Sequence, residues 1–212
     1  MIMKKIFAAF VALAFSIPSF AQYSSGGFTF DEENVYYGVR IGVNVASLSG
    51  DTKDGFGVNM GSKAGLSLAG VVGLRVSNTA PVFLESGLYY SERGAKKDKI
   101  VLTYNNLEIP VLVKYGFKTS DLAILPFFGP VFSQAVSGKY KIKGTDFEVG
   151  AFDEKEWVGL KRFNMGIKLG CGVEYDMLYL EAGYHFGVTN MCKHDNISMR
   201  SNSLFVNFGV NF

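Results

Sequence analysis

The chain has 212 residues, a formal net charge of +2 and only 19% charged residues. That length suits one domain, and so small a charge excess points away from a nucleic-acid partner. The 25 glycines, 19 phenylalanines and 11 tyrosines fit strands, tight turns and aromatic girdles better than a helical bundle.

In chain order, Lys4 and Lys5 come first, then an almost wholly apolar run over 6–17, then Ser19-Phe20-Ala21, a small-x-small cleavage pattern. The apolar run is too short to cross a bilayer as a helix, which takes roughly 20 residues. The sequence therefore divides into a cleaved signal peptide over 1–21, a polar periplasmic tail over 22–34 and a barrel domain over 35–212. Strand patterns follow near 35–48, 63–76, 81–92, 104–117, 122–137, 163–175, 177–190 and 203–212. Most exceed the ~9–11 tilted residues that cross a bilayer. The connections alternate: short at 77–80, 118–121 and around Asp176, long and polar at 49–62, 93–103, 138–162 and 191–202. Short periplasmic turns and long extracellular loops are the outer-membrane rhythm.

Side-chain phase decides which face meets lipid. Tyr37, Val39, Ile41, Val43 and Val45 share one face of the first strand, and Gly38, Arg40, Gly42 and Asn44 the other. The fourth strand sets Leu107, Ile109, Val111, Val113, Tyr115 and Phe117 against Asn106, Glu108, Pro110, Leu112, Lys114 and Gly116. The strands over 163–175 and 177–190 behave alike, with Lys168, Glu174 and Glu181 on the less apolar face. A Lys or Arg facing lipid at mid-membrane costs about 2–4 kcal/mol, so the charges face inward. A soluble calycin has the reverse pattern, apolar within and polar without. The fold expected is all-β: an eight-stranded, antiparallel, up-and-down transmembrane β-barrel. Leu204, Val206, Phe208, Val210 and Phe212 of the last strand continue the lipid belt, and that strand should close onto the first.

The inward charges are Arg40, Arg75, Lys114 and Lys168 against Glu85, Glu108, Glu174 and Glu181. Eight strands leave an interior that side chains fill, and buried charges must be paired. A lumen plugged by an ion-pair network is expected, with a gated ion path as the alternative. Pro110 lacks a ladder donor, so a distortion is expected there, and a bulge would shift the phase of Lys114.

Tyr104-Asn-Asn-Leu-Glu-Ile-Pro-Val-Leu-Val-Lys-Tyr115 resembles the recurring strand of the PorT-like, or outer membrane protein beta-barrel domain, family of Bacteroidota. Gly38-Val-Arg-Ile-Gly-Val-Asn44, Phe83-Leu-Glu-Ser-Gly-Leu-Tyr-Tyr90 and the terminal Phe212 support it. The resemblance covers residues 35–212 and implies a small eight-stranded barrel. Many members are described as porins, one type belongs to a secretion and gliding apparatus, and most have no assigned activity. The terminal Phe212 also resembles the signal read by the barrel-insertion machinery.

No catalytic, cofactor-binding or metal site is expected. His185 with Ser91 or Glu181 is the only grouping that suggests a lipid-modifying enzyme, and Cys192, His194 and Asp195 form too short a cluster for a structural metal site. Cys171 lies on an apolar strand face and Cys192 in a polar loop, so two free thiols are expected. Lys96, Lys97 and Lys99, with Lys139, Lys141 and Lys143, place basic loops where lipopolysaccharide phosphates lie. Phe147, Phe152 and Trp157 share the long connection between the fifth and sixth strands, and strands continuing above the membrane would offer a pairing edge. The reading is a non-enzymatic outer-membrane barrel with a surface-interaction, envelope or assembly role. Its expected partners are outer-membrane lipid and lipopolysaccharide, the insertion machinery and an envelope protein met through the loops. A narrow pore or transport component is the first alternative.

Overall fold

The computed structural model describes residues 34–212 apart from 53–58, 78, 120–121, 143, 145–147, 153–158 and 194–195. The expected signal peptide over 1–21 and nearly all of the expected tail over 22–34 lie outside the described residues. Ten strands follow in order: β1 (Val35–Thr52), β2 (Met60–Arg75), β3 (Val82–Lys97), β4 (Ile100–Tyr115), β5 (Phe117–Thr119), β6 (Leu122–Ile142), β7 (Glu148–Gly150), β8 (Phe163–Tyr175), β9 (Leu178–Gly187) and β10 (Ile197–Asn211). Eight of them, β1, β2, β3, β4, β6, β8, β9 and β10, form a closed antiparallel ring. The short β5 and β7 pair with the two ends of β6.

Closure falls where the sequence places it. Val39 faces Val210, Ile41 faces Phe208 and Val43 faces Val206. The main chains of Tyr37 and Phe212 exchange two hydrogen bonds of 2.8 Å, so the terminal residue completes the ladder. The expected phase also holds: Tyr37, Val39, Ile41, Val43 and Val45 are exposed while Arg40 and Asn44 are buried. A closed ring leaves no unpaired strand edge within the lipid.

Three features differ from the sequence reading. The connection expected over 93–103 is strand on both sides of a two-residue turn, Asp98-Lys99, with Asp98 in the left-handed region at φ 53°. The distortion expected at Pro110 is a break in the ladder and not a bulge: pairing with β3 lapses between Ser86–Val111 and Tyr89–Glu108 but resumes in the same register, so Lys114 stays inward. The bulge lies higher, where Asn105 faces Ser137 but Asn106 faces Ala135, leaving Val136 as the extra residue. Finally, β9 stops at Gly187 while its neighbour β10 runs on to pair with Thr52.

The ring is therefore uneven in height. β6 has 21 residues, whereas β8 has 13 and β9 has 10. On the tall side the strands rise well past the ~9–11 residues a bilayer needs, and there the pattern inverts. Inward positions become apolar, Lys96, Lys139 and Lys141 face out, and Lys97 stands exposed at the very end of its strand. Above the short β8 and β9 the connecting segments complete the wall through main-chain bonds from Leu160 to Ala151, Lys161 to Met191 and Met191 to Met199. Asn190 fastens this segment by accepting from Cys192 and Met199 N–H and donating to the Ile197 carbonyl.

Candidate functional site: the filled lumen

From the short-turn end upward, the first layer is an apolar and aromatic floor of Tyr36, Phe83, Ala123, Leu125 and Tyr179. Arg75 is in the inward phase but stands at this mouth, where its Nε donates to the Ser77 carbonyl and its guanidinium lies 5.9 Å from the Phe83 ring. It is set apart from the ion pairs described next.

The second layer is centred on Glu85. Its Oε2 accepts from Lys114 Nζ at 2.8 Å and from Tyr36 OH at 2.7 Å, with Arg40 Nη2 at 3.6 Å. Lys114 also donates to Tyr179 OH at 2.8 Å and lies 4.0 Å from Glu181. Arg40 stacks over the Tyr179 ring at 4.1 Å. Glu181 accepts from Asn207 Nδ2 at 2.7 Å, and Glu174 accepts from Asn211 Nδ2. Alternation explains the convergence: every second residue of neighbouring strands points to the axis, and a ring of eight brings those side chains into contact.

The third layer is a row across four strands. Phe127 of β6 faces Gly170 of β8, which faces Gly183 of β9, which faces Phe205 of β10. The two rings lie 6.4 Å apart over the paired glycines. A Cβ at Gly183 would stand 2.7 Å from the Phe205 ring and 2.9 Å from Gly170 Cα, so only glycine allows this approach.

Above it, Glu108 is held between Arg93 Nη2 at 2.8 Å and Lys168 Nζ at 3.5 Å. Arg93 is 4% exposed, as deeply placed as the residues expected from sequence. The strand pattern over 81–92 stops one residue short of it; continuing the period from Ser91 by one step reaches it. Two cavities of about 10 Å³ adjoin this cluster, each with room for roughly one water. His185 lines the upper cavity, and among the described residues no hydrogen bond joins it to Ser91 or Glu181.

The top layer is apolar. Leu48, Ala95, Leu102, Tyr104, Ala135, Phe152, Leu160, Met191, Cys192 and Met199 pack as one core. Phe152 thus points into the barrel, while Phe147 and Trp157 lie outside the described residues. Cys192 is buried in this core, not placed in a polar loop, and Cys171 is exposed on the outer face; both thiols are free. Among the described residues no group of His, Cys, Asp and Glu is placed to hold a metal, and His194 and Asp195 lie outside them.

The sequence profile described as "Outer membrane protein beta-barrel domain" matches residues 20–193. The chain belongs to that family. Within the outer membrane protein beta-barrel domain family, the charged and aromatic layers fill a ring that the family's fold supplies. Solved structures similar to it include Neisserial surface protein A, at 17% identity over 85% of this chain and 98% of that one, with a TM-score of 0.47. The attachment invasion locus protein Ail of Yersinia pestis is 10% identical over 85% of this chain and 100% of that one, with a TM-score of 0.43. OprG of Pseudomonas aeruginosa is 11% identical over 87% and 99%, with a TM-score of 0.39. No curated protein matches the sequence.

Proposed function

We propose that this outer-membrane barrel is non-conducting and non-enzymatic, and that its working surface is the tall rim. The observation that carries this reading is the filled lumen: an aromatic floor, two charged layers and an apolar cap occupy the axis from end to end. A side-chain-filled eight-strand ring supplies a rigid pedestal. On it, the strand extensions hold Lys96, Lys139 and Lys141 outward and Lys97 at the rim, at the height where lipopolysaccharide phosphates and envelope partners would be met. The resemblance of the Tyr104–Tyr115 strand supports a place among PorT-like barrels of Bacteroidota, exported by the leader over 1–21 and inserted through its terminal Phe212. The role favoured is surface interaction or assembly with other envelope components.

Planar-bilayer recording tests the central point. The purified barrel should show no stable open state, and a large sustained conductance from the intact protein would overturn the reading in favour of a pore.

A further inference from the structure

Lumen charges are unevenly divided along the axis. In the cluster nearest the middle, two cations, Arg93 and Lys168, face one carboxylate, Glu108. All three are buried. The lower cavity beside them is lined by Asn44, Ser67, Ser91, Arg93, Lys168 and Ser203, together with Tyr89, Phe205 and Asn207. No carboxylate lies in that lining. The upper cavity, which shares Arg93 and adds His185, has none either.

Among the described residues, several polar atoms of this lining have no partner. Arg93 Nη2 reaches Glu108, but Arg93 Nε, Asn44 Nδ2 and Ser203 Oγ make no hydrogen bond there, and neither does the acceptor Asn44 Oδ1. These residues are 4%, 3% and 2% exposed. An unmade hydrogen bond is costly at a buried neutral group and more so at a charged one. Lys168 is partly offset by the Tyr89 and Phe205 rings, at 4.3 and 5.2 Å. Ring faces do not cancel a whole charge in a water-poor interior. Water can satisfy the hydrogen bonds but leaves one positive charge over within the cluster, offset only from the layer below, where Glu85, Glu174 and Glu181 face Arg40 and Lys114.

We propose that the chamber formed by Asn44, Ser91, Arg93, Lys168 and Ser203 is a binding site for a monovalent halide, chloride in the natural setting. A chloride is only slightly larger than a water and accepts hydrogen bonds from every direction, so it suits a small chamber rich in donors. It would neutralise the excess charge and engage Arg93 Nε, Asn44 Nδ2 and Ser203 Oγ together. Phosphate and carboxylate ligands are too large for a cavity of about 10 Å³. The upper cavity supplies the approach, because its lining runs from Arg93 out to Met165 and Thr189 beside the end of β9.

The test is the urea midpoint of the folded barrel in neutral detergent micelles, with sodium chloride or bromide compared with sodium gluconate at equal ionic strength. Halide should raise the midpoint saturably, as ligand linkage requires, and gluconate should not. Lys168→Met should abolish the halide dependence. Ser203→Ala should weaken the apparent affinity by roughly tenfold, the loss of one good interaction. Lys141→Met, on the outer rim, should leave it unchanged. Equal effects of gluconate and chloride, no halide effect, or a halide effect that survives Lys168→Met would each overturn the site. Should Lys168→Met not fold, chloride-35 line broadening on the unaltered protein, reversed by bromide, decides it; absence of broadening overturns it.

Discussion

At the scale of single residues, Lys114 holds the lower lumen together. Its ammonium serves Glu85, Tyr179 and Glu181 from one position. Removing one member of a buried pair leaves an uncompensated charge, at a cost of about 3–5 kcal/mol. Lys114→Met should therefore lower unfolding stability in micelles by about that amount, and Lys114→Met with Glu85→Gln should lose less than the two singles added together. A double-mutant cycle in urea measures both. The eight expected charges were legible because alternation assigns them to a face before any contact is known. Their partners were not. Which carboxylate meets which cation depends on strand stagger around the ring, and that quantity is not written in any one strand.

Among elements, β6 and β7 show how a local pairing can be tuned by pH. Lys139 Nζ reaches both Glu148 oxygens at 3.0 Å and Lys141 lies 3.4 Å away. The Lys139 hydrogen bonds hold the exposed Glu148 carboxyl below its ordinary value, with the Lys139 and Lys141 charges adding to this. A carboxyl depressed in the folded state contributes stability above its unfolded pKa and loses it as pH falls through the folded value. Pairing of β7 onto Lys139, Tyr140 and Lys141 should loosen on acidification below the usual carboxylate range while the ring stays shut. Amide exchange at Val149 and Gly150 compared at pH 7 and pH 3 reads it, and Glu148→Gln should remove the difference. The elements within the bilayer were legible because lipid imposes one rule, apolar out, on every strand. Above it the rule lapses. Gly94-Ala95-Lys96-Lys97-Asp98 reads as loop because its charges imply solvent, yet up to Lys97 it is strand, with Lys96 on the outer face and Ala95 buried on the inner one.

Over the whole molecule, the barrel is two structures end to end: a polar-centred ring in lipid and an apolar-centred collar above it. A collar apolar within and lysine-bearing without suits water, and the orientation proposed above puts this long-connection end at the cell surface. Trypsin applied to intact cells should cut at the Asp98-Lys99 turn and its neighbouring lysines, with the lower turn at Lys118 protected. Cleavage at Lys118 alone would reverse the orientation. The ring, its closure and its phase could be read in advance. The collar could not, because Phe152, Leu160, Met191 and Met199 come from segments far apart in the chain and carry no period of their own.

The single extra residue Val136 has a consequence for how such a protein can vary. Inward positions on β6 are odd-numbered up to Ala135; beyond the bulge, Gly138 and Tyr140 are the residues turned to the collar core and Lys139 and Lys141 are outside. The insertion acts as a reading-frame shift written in space, resetting inside and outside between one half of a strand and the next. Each half then answers to its own solvent. Substitutions can accumulate in the collar, and its connections can lengthen or shorten, without sliding a single lipid-facing side chain out of register.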